Sequence, residues 1–358
     1  MWLEDLVVRG FRNLASMELS LPKDGVALLG ANAQGKTNLL EAVYYPVLFR
    51  SFRGAADREV VGFGGPGFRV ENRVRRDGEA GTISADFRVA PKRKRVEIDG
   101  TEPERLLEGL GRWIAVAFLP SDVVLASGSA AERRRYVDRL LCLADRGYLT
   151  ALTRYRAVLA QRNAALRTQR REVVRAFDVA LAATGAEIVA SRARWAGPAA
   201  VSFAREFATL GETASVGMRY RGREELSALE AWPDALEASW NVDSRKGATT
   251  IGPHRDDLIL EIDGRALREY GSTGQQRSAA IALKLVELAT LAEATGTEPA
   301  LVLDDVFAEL DADRQERLVE RLHRGEARQV FVSAPRRDEL PRTLSLPVWT
   351  VTEGRVTC

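Results

Sequence analysis

The chain has 358 residues, 46% hydrophobic and 28% charged, with a formal net charge of +2. Such a composition is ordinary for a globular protein of two domains, or of one large domain with an insertion, and does not by itself announce a nucleic-acid partner. Two distant cysteines (Cys142, Cys358), no signal-peptide pattern, and a longest apolar stretch (Trp113–Leu119) too short for a bilayer lead us to expect a soluble protein of a reducing cytoplasm.

Residues 2–9 and 26–29 read as short strands, and the second runs straight into Gly30. Gly30, Ala31, Asn32, Ala33, Gln34, Gly35, Lys36 and Thr37 fit G-x-x-x-x-G-K-[ST] in full. The glycines let the backbone curl so that several N–H groups point at one phosphate, and the helix predicted from Asn38 to Phe49 starts with its positive dipole end at the same point. Lys36 is placed to reach β- and γ-phosphates and Thr37 to ligate Mg2+. A chance match in a glycine-rich chain is the bland alternative; the preceding strand and following helix supply the context the motif requires.

Residues 67–100 alternate apolar and charged positions around Asp77-Gly78 and Asp99-Gly100, the pattern of antiparallel hairpins. They contain the densest basic run, Lys92, Arg93, Lys94 and Arg95 after Pro91, which is either an exposed hairpin or a DNA-facing edge. Trp113–Phe118 is a further buried strand. From Pro120 to about residue 210 helical periodicity takes over, with Leu149, Leu152, Tyr155, Leu159 and Leu166 at helical steps. Residues 121–210 hold fifteen Arg against eight Asp or Glu and no Lys. Arg133, Arg134, Arg135, Arg162, Arg167, Arg170, Arg171 and Arg175 are therefore candidates for phosphate contact, with a solvated helix face as the plain alternative for each. A strand-like stretch at Ser215–Tyr220 and a helix at Glu224–Trp240 close this segment.

Strand character returns at 249–262. Tyr270-Gly-Ser-Thr-Gly-Gln-Gln-Arg-Ser278 then leads into a helix predicted over Ser278–Ala294. Ser272 and Gly274 at that helix's N-terminus read either as a second anion site or as a capped helix with a flexible lead-in. Leu301-Val-Leu-Asp304-Asp305 is an apolar strand ending in two carboxylates. In a P-loop protein the first, Asp304, holds Mg2+ through water, and the second, Asp305, orients or deprotonates the attacking water. Gln329–Val332 is the next strand. These elements predict an α/β fold: an ATPase head with an N-terminal lobe at 1–120, an inserted helical arm at 121–240 and a C-terminal lobe at 241–358.

The order P-loop, insertion, S-x-G-Q, acidic strand and Glu309-Leu-Asp311 resembles that of ABC and SMC-type ATPase heads. Leu303-Asp-Asp-Val-Phe-Ala-Glu-Leu-Asp311 looks specifically like the RecF family of DNA repair proteins. So do Phe11-Arg-Asn13, Ser51-Phe-Arg53, Gln161-Arg-Asn-Ala-Ala-Leu-Arg167, Gly252-Pro-His-Arg-Asp256 and Gln329-Val-Phe-Val-Ser333. The resemblance implies that two copies sandwich ATP, with Ser272, Gly274 and Gln275 of one closing on the γ-phosphate held by the other. Asp311 would lie at that seam, Arg12 would approach the phosphates, and Asn38 would follow the P-loop into the pocket. Ser333 stands where transporters usually place a histidine and Asp305 where they place a glutamate. Asp122 is the nearest candidate, by position, for a Q-loop residue. The family likeness further implies duplex DNA as partner, ATP and Mg2+ as cofactors, and RecR, RecO and RecA as associates. A transporter subunit would carry a fuller L-S-G-G-Q; a nuclease-fused ATPase would need another acid cluster; a binder that never hydrolyses ATP would not need the paired acids.

Overall fold

Secondary structure follows the hydrophobic pattern along the computed structural model, which describes residues 1–168, 170–323 and 328–358. The chain begins with β1 (Trp2–Arg9), β2 (Met17–Ser20), β3 (Gly25–Leu29) and α1 (Lys36–Leu48). β4 (Gly67–Arg76), β5 (Glu79–Arg88), β6 (Arg93–Ile98) and β7 (Ala115–Phe118) follow. Next come α2 (Ala130–Ala144), α3 (Arg146–Arg167), α4 (Asp178–Thr209), β8 (Val216–Arg221) and α5 (Trp232–Lys246). The remainder is β9 (Asp257–Ile262), β10 (Arg265–Ala266), α6 (Thr273–Thr295), β11 (Ala300–Asp304), α7 (Ala312–His323), β12 (Val330–Ala334), β13 (Val348–Thr352) and β14 (Arg355–Thr357). Among the described residues no helix is long and apolar enough to cross a membrane.

Two compact units emerge: Met1–Ser121 with Thr209–Gly211 and Leu291–Cys358, and Asp122–Ala208 with Glu212–Thr290. Compactness thus cuts the chain differently from the lobe, arm and lobe scheme, because residues 241–290 cluster with the helical segment.

The first unit holds two sheets. β2-β1-β4-β5-β6 is antiparallel throughout. β14-β13-β3-β12-β11-β7 is parallel except for the terminal β13–β14 hairpin. β7, β11 and most of β3 are buried residue after residue, as expected of parallel strands covered on both faces. Each such aliphatic side chain contributes about 1.5–3 kcal/mol. α1 packs against strands of both sheets. The buried Gln329 amide ties β12 to the N-terminal strand: its Oε1 accepts from the Leu3 amide at 2.6 Å and its Nε2 donates to the Leu3 and Pro22 carbonyls, both at 2.8 Å. The parallel register sets Asp304 beside Ser333 and Ser333 beside Leu28, so β3, β11 and β12 end together at one edge.

The second unit is helical around the small antiparallel sheet β10-β9-β8. Three buried arginines from three helices hold the segment 249–257 in place. Arg162 on α3 meets Asp178 at 2.8 Å, Asp243 at 2.9 Å and the Thr249 hydroxyl at 2.8 Å. Arg192 on α4 donates to the Pro253 carbonyl, Asp138 and the Tyr148 hydroxyl. Arg133 on α2 grips Asp257 with two 2.9 Å bonds.

Two helix starts differ from expectation by five residues or more. The helix expected from Glu224 starts at Trp232, with Pro233 in its first turn; residues 224–231 form short 3-10 turns instead. α6 begins at Thr273, five residues before Ser278, because Ser272 and Gln275 form a reciprocal cap. The Ser272 amide donates to Gln275 Oε1 at 2.9 Å, and the Gln275 amide donates to Ser272 Oγ at 3.2 Å.

Candidate nucleotide site

The site is built at the carboxyl edge of the parallel sheet in the first unit, where the strands of α/β folds place ligands. β3 delivers the chain to Gly30, and the loop turns through positive φ at Ala33 (65°) and Gly35 (114°) before α1 starts at Lys36. A Cβ at Gly30 would lie 2.3 Å from the Val351 carbonyl oxygen, so β13 leaves no room for a side chain there. Lys36 is 4% exposed, and its ammonium donates to the Gly30 carbonyl at 2.7 Å and the Ala31 carbonyl at 3.1 Å. The strand and helix contexts the motif needs are thus both present.

Thr37, Asp304, Asp305 and Ser333 come together. The Thr37 hydroxyl donates to Asp304 Oδ1 at 2.8 Å. Ser333 Oγ lies 2.8 Å from the same oxygen and 3.1 Å from Asp305 Oδ1, and it accepts from the Asp305 amide at 3.0 Å. Asp305 holds φ at 48°, a conformation that costs a non-glycine residue about 1–2 kcal/mol. Burial pushes the Asp304 carboxyl above its usual range; hydrogen bonds from Thr37 and Ser333 oppose that rise and the Asp305 charge adds to it. A hydroxyl and a carboxylate sharing one short contact are hard oxygen donors suited to Mg2+, which is commonly completed by phosphates and water rather than by a full protein cage.

Other expected residues have partners of their own. Arg12 has all its guanidinium nitrogens engaged: Nε and Nη2 by the buried Glu41 at 3.0 and 2.8 Å, and Nη1 by the Glu59 carbonyl at 2.8 Å. The second N–H groups of Nη1 and Nη2 stay available to an anion. Asn38 donates to the Asn13 side chain at 2.7 Å. Asp311 caps α7 through the Arg314 amide at 2.9 Å and pairs with its guanidinium at 2.8 Å, and these contacts hold its carboxyl below the usual range. In the second unit, Ser272 is exposed at the head of α6, with Gly274 and Gln275 inside the first turn. Asp122 lies in the turn Pro120–Val123, where its charge acts on Tyr136 and Lys284.

Two features escaped the sequence reading. The β13–β14 turn, Glu353-Gly354, lands on the P-loop: the Glu353 amide donates to Gln34 Oε1 at 2.7 Å and the Gly354 amide to the Gln34 carbonyl at 2.8 Å. The Gly354 carbonyl accepts from Ala15 at 2.9 Å, and a Cβ at Gly354 would lie 2.0 Å from the Asn13 carbonyl oxygen. The positive φ of both turn residues marks a hairpin, a signal readable in Glu-Gly between two β-type runs, but nothing local says where the turn docks. The second is the role of Arg53, legible in the sequence only as part of the family-like motif Ser51-Phe-Arg53: its guanidinium lies 6.0 Å from the Phe52 ring centroid, and its charge lowers the proton affinity of Asp304.

Several expected DNA contacts are corrected by burial. Arg133 (5% exposed) and Arg162 (1%) spend their charge on Asp257 and on Asp178 with Asp243. Lys94 is folded onto the Phe49 carbonyl, the Tyr45 hydroxyl and Asp57, and burial lowers its proton affinity. In each case a carboxylate distant in sequence neutralises a cation that counted as surface charge. Lys92, Arg93, Arg95, Arg135, Arg167 and Arg170 are exposed, and Arg134 is half-buried. Arg93 and Arg95 share Glu102, while Arg171 and Arg175 share Glu237.

No protein-family model matches the chain. It is 33% identical over 342 residues to the DNA replication and repair protein RecF of Geobacter sulfurreducens, covering 93% of this chain and 92% of that one. It is 36% identical over 337 residues to the protein of the same name from Synechococcus sp. (strain JA-2-3B'a(2-13)), covering 89% and 88%. A solved structure of the recombination mediator protein RecF-ATP in the RecFOR pathway superposes with a TM-score of 0.91 at 30% identity, covering 99% of this chain and 97% of that one. An SMC head bound to the C-terminal winged-helix domain of ScpA is similar in fold alone, with a TM-score of 0.57 at 15% identity over 100% of this chain and 97% of that one.

Proposed function

Because the chain belongs to the family of RecF DNA replication and repair proteins and has an ABC/SMC-type ATPase fold, we propose that it is an ATP-driven switch of recombinational repair. The observation that carries the reading is the hydrogen-bonded string Thr37–Asp304–Ser333–Asp305 at the foot of the P-loop. In this reading the amides of residues 30–37 and the Lys36 ammonium bind the triphosphate. Thr37 and Asp304 hold Mg2+, which supplies Lewis-acid charge at the phosphate oxygens. Ser333 fixes both acids, and Asp305 orients the attacking water and takes its proton.

The same reading makes ATP the bridge between two copies. Ser272, Gly274 and Gln275 of one copy close on the γ-phosphate held by the other, with Asp311 at the seam. The closed homodimer clamps duplex DNA at gaps and, with RecR and RecO, promotes RecA loading. Slow hydrolysis removes the shared phosphate and releases the dimer, a population shift driven by the differential affinity of the two states. The relatives carry the name of a DNA replication and repair protein, and a structure at 30% identity is named for ATP and for the RecFOR pathway; both support the reading.

Phosphate release from ATP, measured with and without duplex DNA, tests it. DNA should raise the rate, and Lys36→Met should abolish it. A DNA-independent rate, or full activity in Lys36→Met, contradicts the proposal.

A further inference from the structure

Several arginines of the second unit are matched by carboxylates, whereas Arg134 is half-buried without one in contact. Arg133 pairs with Asp257, Arg135 with Glu132, Arg156 and Arg192 with Asp138. Arg134 donates to a neutral group, the Asp256 carbonyl, at 2.7 Å, and among the described residues it forms no ion pair. It is half-buried, and that burial depresses its proton affinity; the charges of Asp257, Asp138 and Asp256 attract it from beyond contact, while Arg192 repels it. A desolvated cation without a contacting counter-ion is unfavourable until an anion reaches it.

Arg134 opens onto a cavity of about 210 Å3 between α2, α3 and the turn at Pro253. Arg135 and Arg156 line the same cavity. Its carboxylate, Asp138, is already saturated by Arg156, Arg192 and the Tyr148 hydroxyl. The floor is neutral: the Thr249 carbonyl can only accept, so His254 Nε2 carries the proton at 2.9 Å and Nδ1 accepts from the Tyr155 hydroxyl at 2.7 Å. The cavity is therefore lined by cationic forks around one unmatched guanidinium, and guanidinium geometry suits phosphate oxygens.

We propose that this cavity is a phosphate pocket anchored by Arg134 and flanked by Arg135 and Arg156, and that it receives a backbone phosphate of duplex DNA. The inference rests on the reading above that the chain binds duplex DNA, and it names where one strand is held. The contact positions the duplex without reading its sequence.

The test uses the full chain with a slowly hydrolysed ATP analogue and a fluorescent duplex, titrated at salt concentrations from about 50 to 200 mM. Arg134→Gln, which keeps an amide donor for the Asp256 carbonyl, should raise the Kd about three- to tenfold on any sequence and reduce the salt slope by about one. Arg134→Lys should recover most of the loss. Arg156→Gln, at a mostly exposed position, should weaken binding by about twofold and serves if Arg134→Gln disturbs the fold. Wild-type affinity and salt slope in both glutamine variants overturn the pocket while leaving DNA binding standing. A wild-type chain that binds no duplex overturns the DNA reading and the pocket's assignment together. Inorganic phosphate separates the sources: if it binds the wild type but not Arg134→Gln, and DNA affinity is equal in the two, the pocket takes free phosphate and the proposal fails.

Discussion

The nucleotide edge of the first unit and the arginine knot of the second use charge in opposite ways. At the edge, Lys36 rests on backbone carbonyls and two carboxylates crowd one serine hydroxyl, so the charges are held by neutral groups and stay available to a phosphate and a cation. In the knot, Arg133, Arg162 and Arg192 are each saturated by carboxylates, carbonyls or hydroxyls and fix a fold. The difference lies in the counter-ions. A charged side chain is free to bind when the fold satisfies it with weak neutral partners or leaves it exposed, and structural when it is buried against a carboxylate.

That contrast can be broken most sharply at Asp305. If it handles the attacking water, Asp305→Asn should slow ATP hydrolysis by about 10²- to 10⁴-fold and leave a long-lived DNA-bound dimer. Faster DNA release in this variant, followed by stopped-flow fluorescence, would remove the role. On the structural side, Arg162→Ala leaves Asp243 buried without its cation and should cost about 3–5 kcal/mol in urea unfolding. The folded fraction should bind DNA as the wild type does; a specific loss of DNA affinity with unchanged stability would return Arg162 to the binding surface.

His254 sharpens the comparison through pH. Burial lowers its pKa from 6.5 to about 4, so the unfolded chain binds more protons between those values. Its contribution is fully present above about pH 6.5 and is lost as pH falls toward 4, up to roughly 3 kcal/mol. Denaturation midpoints across that window should fall more steeply in the wild type than in His254→Gln. The smallest effect belongs to the brace on the P-loop. Gly354→Ala should cost about 1–3 kcal/mol of stability, because the new methyl meets the Asn13 carbonyl, and should weaken ATP binding about tenfold by calorimetry. Unchanged affinity would make the hairpin a bystander.

How much of this was legible in the sequence follows the same divide. The P-loop and the acidic strand could be read because they are local: a backbone shape demands glycines at fixed spacing, and a parallel strand demands an unbroken apolar run. α6 starts earlier than its apolar periodicity suggests, because the reciprocal cap between Ser272 and Gln275 adds a polar first turn. The fates of Lys94, Arg133 and Arg162 could not be read, since their carboxylates lie 37, 124 and up to 81 residues away. Charge density along a chain counts cations; it does not reveal which ones meet an acid.

The central claim is that one chain carries half a site, with its P-loop completed by the signature of a second copy. Equilibrium sedimentation with a slowly hydrolysed ATP analogue addresses it directly, comparing the wild type with Ser272→Arg. The account predicts that the wild type sediments at twice the mass of one chain, whereas Ser272→Arg binds the analogue and stays at the mass of one. A wild type that remains single with the analogue bound, or a Ser272→Arg variant that doubles equally well, would contradict it.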